Sequence, residues 1–234
     1  MHPMPRPYRH AIYYAPPADH PLWAAGCQWL QRDPAQPHEA AAPSPRPHIA
    51  EPQRYGFHAT LKPPFRLREP CSESALLDAV ERLASCTPAF AMPPLQVAWL
   101  GDFLALRPAQ DLPRDHALQG LADACVEQLD MFRASPDDTE RARRAALSLS
   151  EAQHAWLARY GYPYVMDEWR LHMTLTDKLA ALTPAAREAV AEQVREHFGP
   201  ALAGPLPCDS VCVYVEPRPG EPFVLVHRFG LKRA

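Results

Sequence analysis

Apolar residues along the chain recur with two periods, and these mark out its elements. Leu118, Leu121, Ala122, Cys125, Leu129 and Phe132 fall three or four apart, which predicts an amphipathic helix over 118–132. Further helices are expected at 21–31, at 72–84 behind Ser72 as N-cap, and at 184–198 behind Thr183, closed by Gly199-Pro200. Shorter runs read as strands: 9–15, then 94–100 and 103–107 turning at Gly101-Asp102, then 210–216 and 222–229 turning at 217–220. The stretches 137–146 and 150–160 are helical by composition and lead into Tyr160-Gly161-Tyr162-Pro163-Tyr164. Together 133–165 reads as an inserted helical segment that could wall a cleft. The loop 34–53, with prolines at 34, 37, 43, 45, 47 and 52, is expected to be a surface excursion without regular structure.

Strict alternation appears in two places that are nearly copies. Phe57-His58-Ala59-Thr60-Leu61 and Leu171-His172-Met173-Thr174-Leu175 lie 114 residues apart. Random order at this composition gives about 0.03 such His-x-Thr-Leu tetrapeptides. In a half-buried strand, residues two apart share a face. His58 and Thr60 therefore stand together, as do His172 and Thr174, each pair backed by apolar neighbours. Two positions further on lie Lys62 and Thr176; two positions back lie Gly56 and Arg170. The motif strands are placed near 56–62 and 169–176. Each is followed by helix, strand, turn and strand, so the larger pattern also occurs twice.

Composition narrows the setting. The 234 residues suit one bilobal domain, 47% are hydrophobic and 22% charged, and the net charge is −3. That balance argues against a dedicated nucleic-acid partner, which would show a basic footprint. No run approaches the ~18 apolar residues of a membrane span, and residues 1–9 lack the apolar core of a secretory signal, so a cytoplasmic protein is expected. Six scattered cysteines without a C-x-x-C pair read as buried thiols, not as a disulfide framework or zinc site.

Two half-sites facing one another would gather two imidazoles, two or three hydroxyls and nearby cations. That set suits an anionic substrate needing a proton removed at one end and delivered at the other. Imidazole can do either near neutral pH, and a pair can divide the roles. Hydroxyls can donate to charge on nonbridging phosphate oxygens. Gly-rich phosphate loops, H-E-x-x-H and G-x-S-x-G are absent, which removes the usual nucleotide, zinc-protease and α/β-hydrolase readings.

A pair of His-x-Thr-Leu strands half a chain apart resembles the two-histidine (2H) phosphoesterase superfamily. The segments Arg9-His10-Ala11-Ile12-Tyr13-Tyr14-Ala15-Pro16, Arg54-Tyr55-Gly56-Phe57-His58-Ala59-Thr60-Leu61-Lys62 and Gly161-Tyr162-Pro163-Tyr164 are similar to the DUF1045 family, some members of which are labelled phosphonate-metabolism proteins. The resemblance implies an α+β fold of the LigT-like kind: two pseudo-symmetric lobes of antiparallel sheet with outer helices around a central cleft. It also implies opening of cyclic phosphodiesters, or the reverse ligation, with no metal and no other cofactor. His58 and His172 would be the acid/base pair and Thr60 and Thr174 would hold phosphate oxygens. Tyr13 and Arg133 enter as ligand contacts at the level of the family. Tyr55 and Tyr164 are expected to stack on or hydrogen-bond the substrate, and Lys62, Arg170 and Thr176 follow from parity. The expected partner is a small cyclic phosphate or phosphorylated sugar, the leading form being a phosphorylated ribose 1,2-cyclic phosphate. The alternatives are an enzyme of RNA 2′,3′-cyclic ends and a binding module that catalyses nothing.

Overall fold

The computed structural model describes residues 6–36, 45–137 and 148–233. Most of the expected helical stretch 137–146, and the centre of the 34–53 loop, lie outside those residues. The fold is α+β with antiparallel sheets. In chain order its elements begin with β1 (Arg9–Tyr14), α1 (Pro21–Trp29), α2 (Ala50–Tyr55), β2 (Ala59–Phe65), α3 (Glu73–Cys86) and β3 (Phe90–Ala91). There follow β4 (Leu95–Leu100), β5 (Phe103–Pro108), α4 (Ala117–Gln128), α5 (Glu151–Tyr160) and β6 (Met173–Thr174). The chain ends with α6 (Pro184–Phe198), β7 (Pro207–Cys208), β8 (Ser210–Glu216) and β9 (Val224–Gly230).

The four-stranded sheet runs β2-β1-β8-β9 and the three-stranded sheet β4-β5-β6; β3 and β7 make a short pair of their own. The hairpins are exchanged between the halves of the chain. The β4–β5 hairpin follows His58 but pairs with β6, beside His172. The β8–β9 hairpin follows His172 but completes the sheet that carries β2. Neither half can close its own sheet, and one continuous buried cluster takes in side chains of both, from Tyr14 and Tyr214 to Leu104 and Met173.

Four local outcomes differ from the sequence pattern. The second motif strand, expected near 169–176, is regular only at Met173–Thr174. β2 continues through Pro63-Pro64 because it is an edge strand, where a missing N–H costs no ladder bond. The 34–53 loop gives way to a helix, α2, whose Pro52 sits in the first turn, where no intrahelical donor is required. The long helix expected over 118–132 stops at Gln128 and continues only as a 3₁₀ turn, Asp130–Phe132.

α2 has no cap of its own. Its first N–H groups are taken by Asp177, with Ala50 N donating to Oδ2 at 3.0 Å and Glu51 N to Oδ1 at 2.8 Å. The residue that closes the second motif thus anchors the helix that delivers the first. Around the sheets, α4 packs on β2, α3 on β8 and β9, and α1 on α6.

Candidate active site

Both histidines stand immediately before a strand and are fixed in the same way. His58 Nδ1 donates to the Gly56 carbonyl at 2.8 Å, and His172 Nδ1 donates to the Arg170 carbonyl at 2.8 Å. A nitrogen facing a carbonyl must carry the proton, so in the neutral ring the lone pair is on Nε2. His58 Nε2 lies 3.3 Å from Thr60 Oγ1, whose hydroxyl donates to it. Gly56 supplies its carbonyl from φ +78° and ψ 172°, a region open essentially to glycine alone.

Aromatic rings crowd the His58 imidazole. Tyr13 stacks on it at 3.7 Å between centroids, Tyr55 lies at 6.3 Å, and Phe57 before it is buried against Phe198. Burial pushes the His58 imidazole down to about 4; the Gly56 carbonyl opposes this and His172 adds to it. Burial also lowers His172, opposed by the Arg170 carbonyl and reinforced by Arg107. Each imidazole is therefore held neutral in the empty protein.

The motifs are tied together through the main chain. Trp169 Nε1 donates to the carbonyl of Thr60 at 2.8 Å, and Trp29 Nε1 donates to that of Leu175 at 2.8 Å. Beside them opens a cleft of about 1010 Å³ that Thr60 and Thr174 both line, together with His58. Of the other residues expected at the site, the structure brings Tyr13, Tyr55, Arg133 and Tyr164 to this cleft. His172 is half-buried two residues before Thr174, in ring contact with Phe103 at 6.2 Å.

Three expected contacts are placed differently. Lys62 does not continue the Thr60 face: the β1–β2 register shifts so that Tyr13 opposes Thr60 but Ile12 opposes Lys62, which breaks the alternation. Its side chain turns toward α4, and Nζ donates to Val126 O at 3.1 Å and Asp130 Oδ1 at 3.2 Å while still touching the cleft wall. Burial lowers it to about 8, against the opposing pull of Asp130. Thr176 is buried, and its Oγ1 accepts the main-chain N–H of Leu104 at 3.0 Å, so it braces β5 and does not reach the cleft. Arg170 faces outward, Nη1 donating to the carbonyls of Asp167 and Trp169, beside a separate hollow of about 320 Å³.

The structure adds residues that the motifs did not reveal. Arg9, Arg54 and Tyr162 line the cleft. The ladder that pairs Ala105 with Thr174 sets Arg107 opposite His172 when carried one pair further along each strand. Arg133 is held by both oxygens of Asp130, at 2.7 and 2.9 Å, and by the Arg159 carbonyl at 3.0 Å. The signal for Arg9 and Arg54 was present only as neighbours of the motifs, since their common partner Glu216 is 162 residues or more away. Among the described residues no group of three or more His, Cys, Asp or Glu could hold a metal ion, and no helix is long and apolar enough to cross a membrane.

The fold is antiparallel α+β, and one cleft is lined by His58, Thr60 and Thr174, with His172 outside that lining; comparison with known proteins gives the family. The family described as "Protein of unknown function (DUF1045)" matches residues 60–224, and the chain belongs to it. Among curated proteins it is 38% identical over 225 residues to a ribose 1,5-bisphosphate phosphokinase PhnN from Janthinobacterium sp. (strain Marseille), covering 92% of this chain and 49% of that protein. It is 35% identical over 222 residues to the protein of the same name from Laribacter hongkongensis (strain HLHK9), covering 93% and 50%. The chain thus spans about half the length of the curated relatives it matches. Among solved structures, Escherichia coli LigT complexed with 3′-AMP is similar at a TM-score of 0.46 and 15% identity, over 97% of this chain and 99% of that one.

Proposed function

We propose that the protein is a phosphodiesterase that opens a small cyclic phosphate by acid/base catalysis shared between His58 and His172. The observation that carries this reading is the matched pair of Nδ1 bonds, which puts the lone pair of each neutral ring on Nε2; in the empty site the Thr60 hydroxyl donates to that of His58, and bound phosphate would draw the hydroxyl away. One imidazole takes a proton from the attacking water as its oxygen bonds to phosphorus. The other gives a proton to the departing sugar oxygen as the P–O bond breaks. The reaction consumes one water and leaves a phosphomonoester and a free hydroxyl. Thr60 and Thr174 donate to the nonbridging oxygens, where a preorganised donor is worth a few kcal/mol. Both imidazoles are neutral in the empty site, and a bound phosphate raises the one that must act as acid.

The substrate we favour is a 5-phosphorylated ribose 1,2-cyclic phosphate. If the bond to O2 breaks, the product is ribose 1,5-bisphosphate, the compound named in the curated relatives. This chain has no Gly-rich phosphate loop, so we assign the phosphokinase to the part of those relatives that it does not span. On this reading one half makes the sugar bisphosphate and the other consumes it.

The test is phosphorus NMR of the purified protein with three compounds: 5-phosphoribose 1,2-cyclic phosphate, a nucleoside 2′,3′-cyclic phosphate and a short RNA ending in a 2′,3′-cyclic phosphate. Opening of the first to ribose 1,5-bisphosphate, lost in His58→Asn and His172→Asn and unaffected by chelator, is the expected result. Turnover of none of them overturns the assignment as an enzyme.

A further inference from the structure

One feature of the cleft is not used by acid/base chemistry. Glu216, at the end of β8, has a wholly buried carboxylate, and two arginines reach it: Arg9 Nε to Oε2 and Arg54 Nη2 to Oε1. Gly220 N adds a third bond to Oε1 at 2.8 Å. One carboxylate against two guanidiniums leaves a positive charge unmatched. Burial opposes the charge on Arg9, but the hydrogen bond and charge of Glu216 outweigh it, so Arg9 remains cationic. Arg54 Nε is buried and has no hydrogen-bond partner. Both arginines line the cleft together with His58.

Hydroxyls complete this pole. Tyr55 and Tyr162 line the same wall, and burial pushes the Tyr162 hydroxyl up to about 12, with Tyr164 and Tyr55 adding to the rise, so it stays a donor at working pH. A single aromatic ring separates the pole from the reacting centre. Tyr55 lies 6.3 Å from the His58 imidazole, and the Arg54 guanidinium carbon lies 5.4 Å from the Tyr55 ring.

We infer that Arg9 and Arg54, braced on Glu216, form a second anion subsite that holds a phosphomonoester of the substrate while the histidines open its cyclic phosphate. The inference rests on the phosphodiesterase reading and narrows it to sugars carrying a phosphate away from the ring being opened. A phosphomonoester near neutral pH bears about −1.5 to −2 charges and three acceptor oxygens. It matches the unmatched cation and the tyrosine donors; a nucleobase stacked on the same tyrosines would leave that charge unanswered.

The test compares kcat/KM for ribose 1,2-cyclic phosphate with and without a 5-phosphate, in the wild type, Arg9→Gln and Tyr162→Phe. The wild type is expected to prefer the 5-phosphorylated compound, and that preference should fall roughly tenfold to a hundredfold in Arg9→Gln and severalfold in Tyr162→Phe. A preference that survives both changes overturns the subsite, as does a wild type that prefers a nucleoside 2′,3′-cyclic phosphate. Should Arg9→Gln leave Glu216 short of a partner and fail to fold, Tyr162→Phe decides alone. Calorimetric binding of ribose 5-phosphate needs no turnover. Affinity lost in the variants supports the subsite even if no cyclic phosphate is opened, in which case only the proposed activity falls. Equal affinity in wild type and variants overturns the subsite whatever the activity.

Discussion

His58 and His172 make the same hydrogen bond to the main chain, Nδ1 to the carbonyl two residues back, at 2.8 Å in both. The acceptors differ in kind: Gly56 is a glycine at positive φ, whereas Arg170 is an ordinary residue leading into a strand. Two unlike backbones therefore converge on one arrangement of imidazole, as the proposed sharing of proton transfer between the two rings requires. Replacing either histidine by Asn keeps a polar side chain of similar reach but removes the titrating nitrogen. Each change should lower kcat/KM by about 10²–10⁴-fold, and the double variant should be no worse than the poorer single one. Steady-state kinetics on the cyclic phosphate give both numbers.

The pH profile follows from the direction of the shifts. Burial lowers both imidazoles from 6.5, His58 to about 4. The proposed mechanism needs one ring protonated and one neutral in the free protein, and protonation is lost as pH rises through each lowered value. The bell in kcat/KM should therefore be centred on the acid side of 6.5, with its alkaline limb falling before neutrality. A plateau extending above pH 7 would show that burial does not set these groups. Stability runs the opposite way. A histidine whose folded value is depressed binds its proton less readily in the native state, so stability is complete above 6.5 and declines as pH falls toward 4. Chemical denaturation at pH 7.5 and 5.0 should show that decline, and His58→Asn should flatten it.

Asp177 lies just beyond the second motif, yet it caps the helix that leads into the first. Asp177→Ala removes both acceptors from the Ala50 and Glu51 amides. The loss of such a cap costs about 1 kcal/mol, and its effect should reach His58 through α2 and Gly56. We expect a lower melting temperature together with a reduced kcat. Asp177→Asn, which keeps one acceptor oxygen, should restore part of each. A change in melting temperature with kcat untouched would confine Asp177 to stability.

Thr176 and Arg170 separate parity from packing. Thr176→Val leaves the buried N–H of Leu104 without its acceptor, a loss of about 1–3 kcal/mol, while the cleft keeps its lining. Arg170→Ala removes only outward contacts to the main chain. The first variant should melt earlier, and both should retain the wild-type kcat/KM at temperatures where they are folded.

The duplicated motif was legible because it is local: four residues in alternation announce both a strand and its chemistry. The helices at 72–84 and 184–198 were legible for the same reason, through Ser72 and Thr183 as caps. What escaped is not local. Lys62 left the expected face because of one register shift against β1, which no pattern within β2 encodes. α2 hid behind prolines, since its cap comes from a residue 127 positions later. The pole of Arg9, Arg54 and Glu216 exists only because β8 lies beside β1, and the exchange of hairpins that puts it there is a property of the whole chain. Sequence spacing singled out the groups proposed to react, and tertiary pairing decided what surrounds them.

Gly56 is the position where backbone and chemistry meet most directly. Its φ of +78° with ψ near 172° is closed to side chains bearing a Cβ, and a Cβ there would stand 2.9 Å from two carbons of Pro34. Gly56→Ala must therefore move the segment between α2 and β2, with a cost of about 1–3 kcal/mol. The carbonyl that moves is the one holding His58 Nδ1. Without it, the ring loses a partner that raises its pKa and fixes its tautomer, so the proton can shift to Nε2 and remove the free lone pair. The variant should lose activity well beyond its loss of stability, and the acid limb of its pH profile should move lower, because an acceptor that favours the charged ring is gone. Nitrogen-15 spectra of the imidazoles report the tautomer directly: the wild type should show His58 protonated at Nδ1, and Gly56→Ala a mixture. A variant with the wild-type tautomer and only a lower melting temperature would show that Gly56 serves the fold alone.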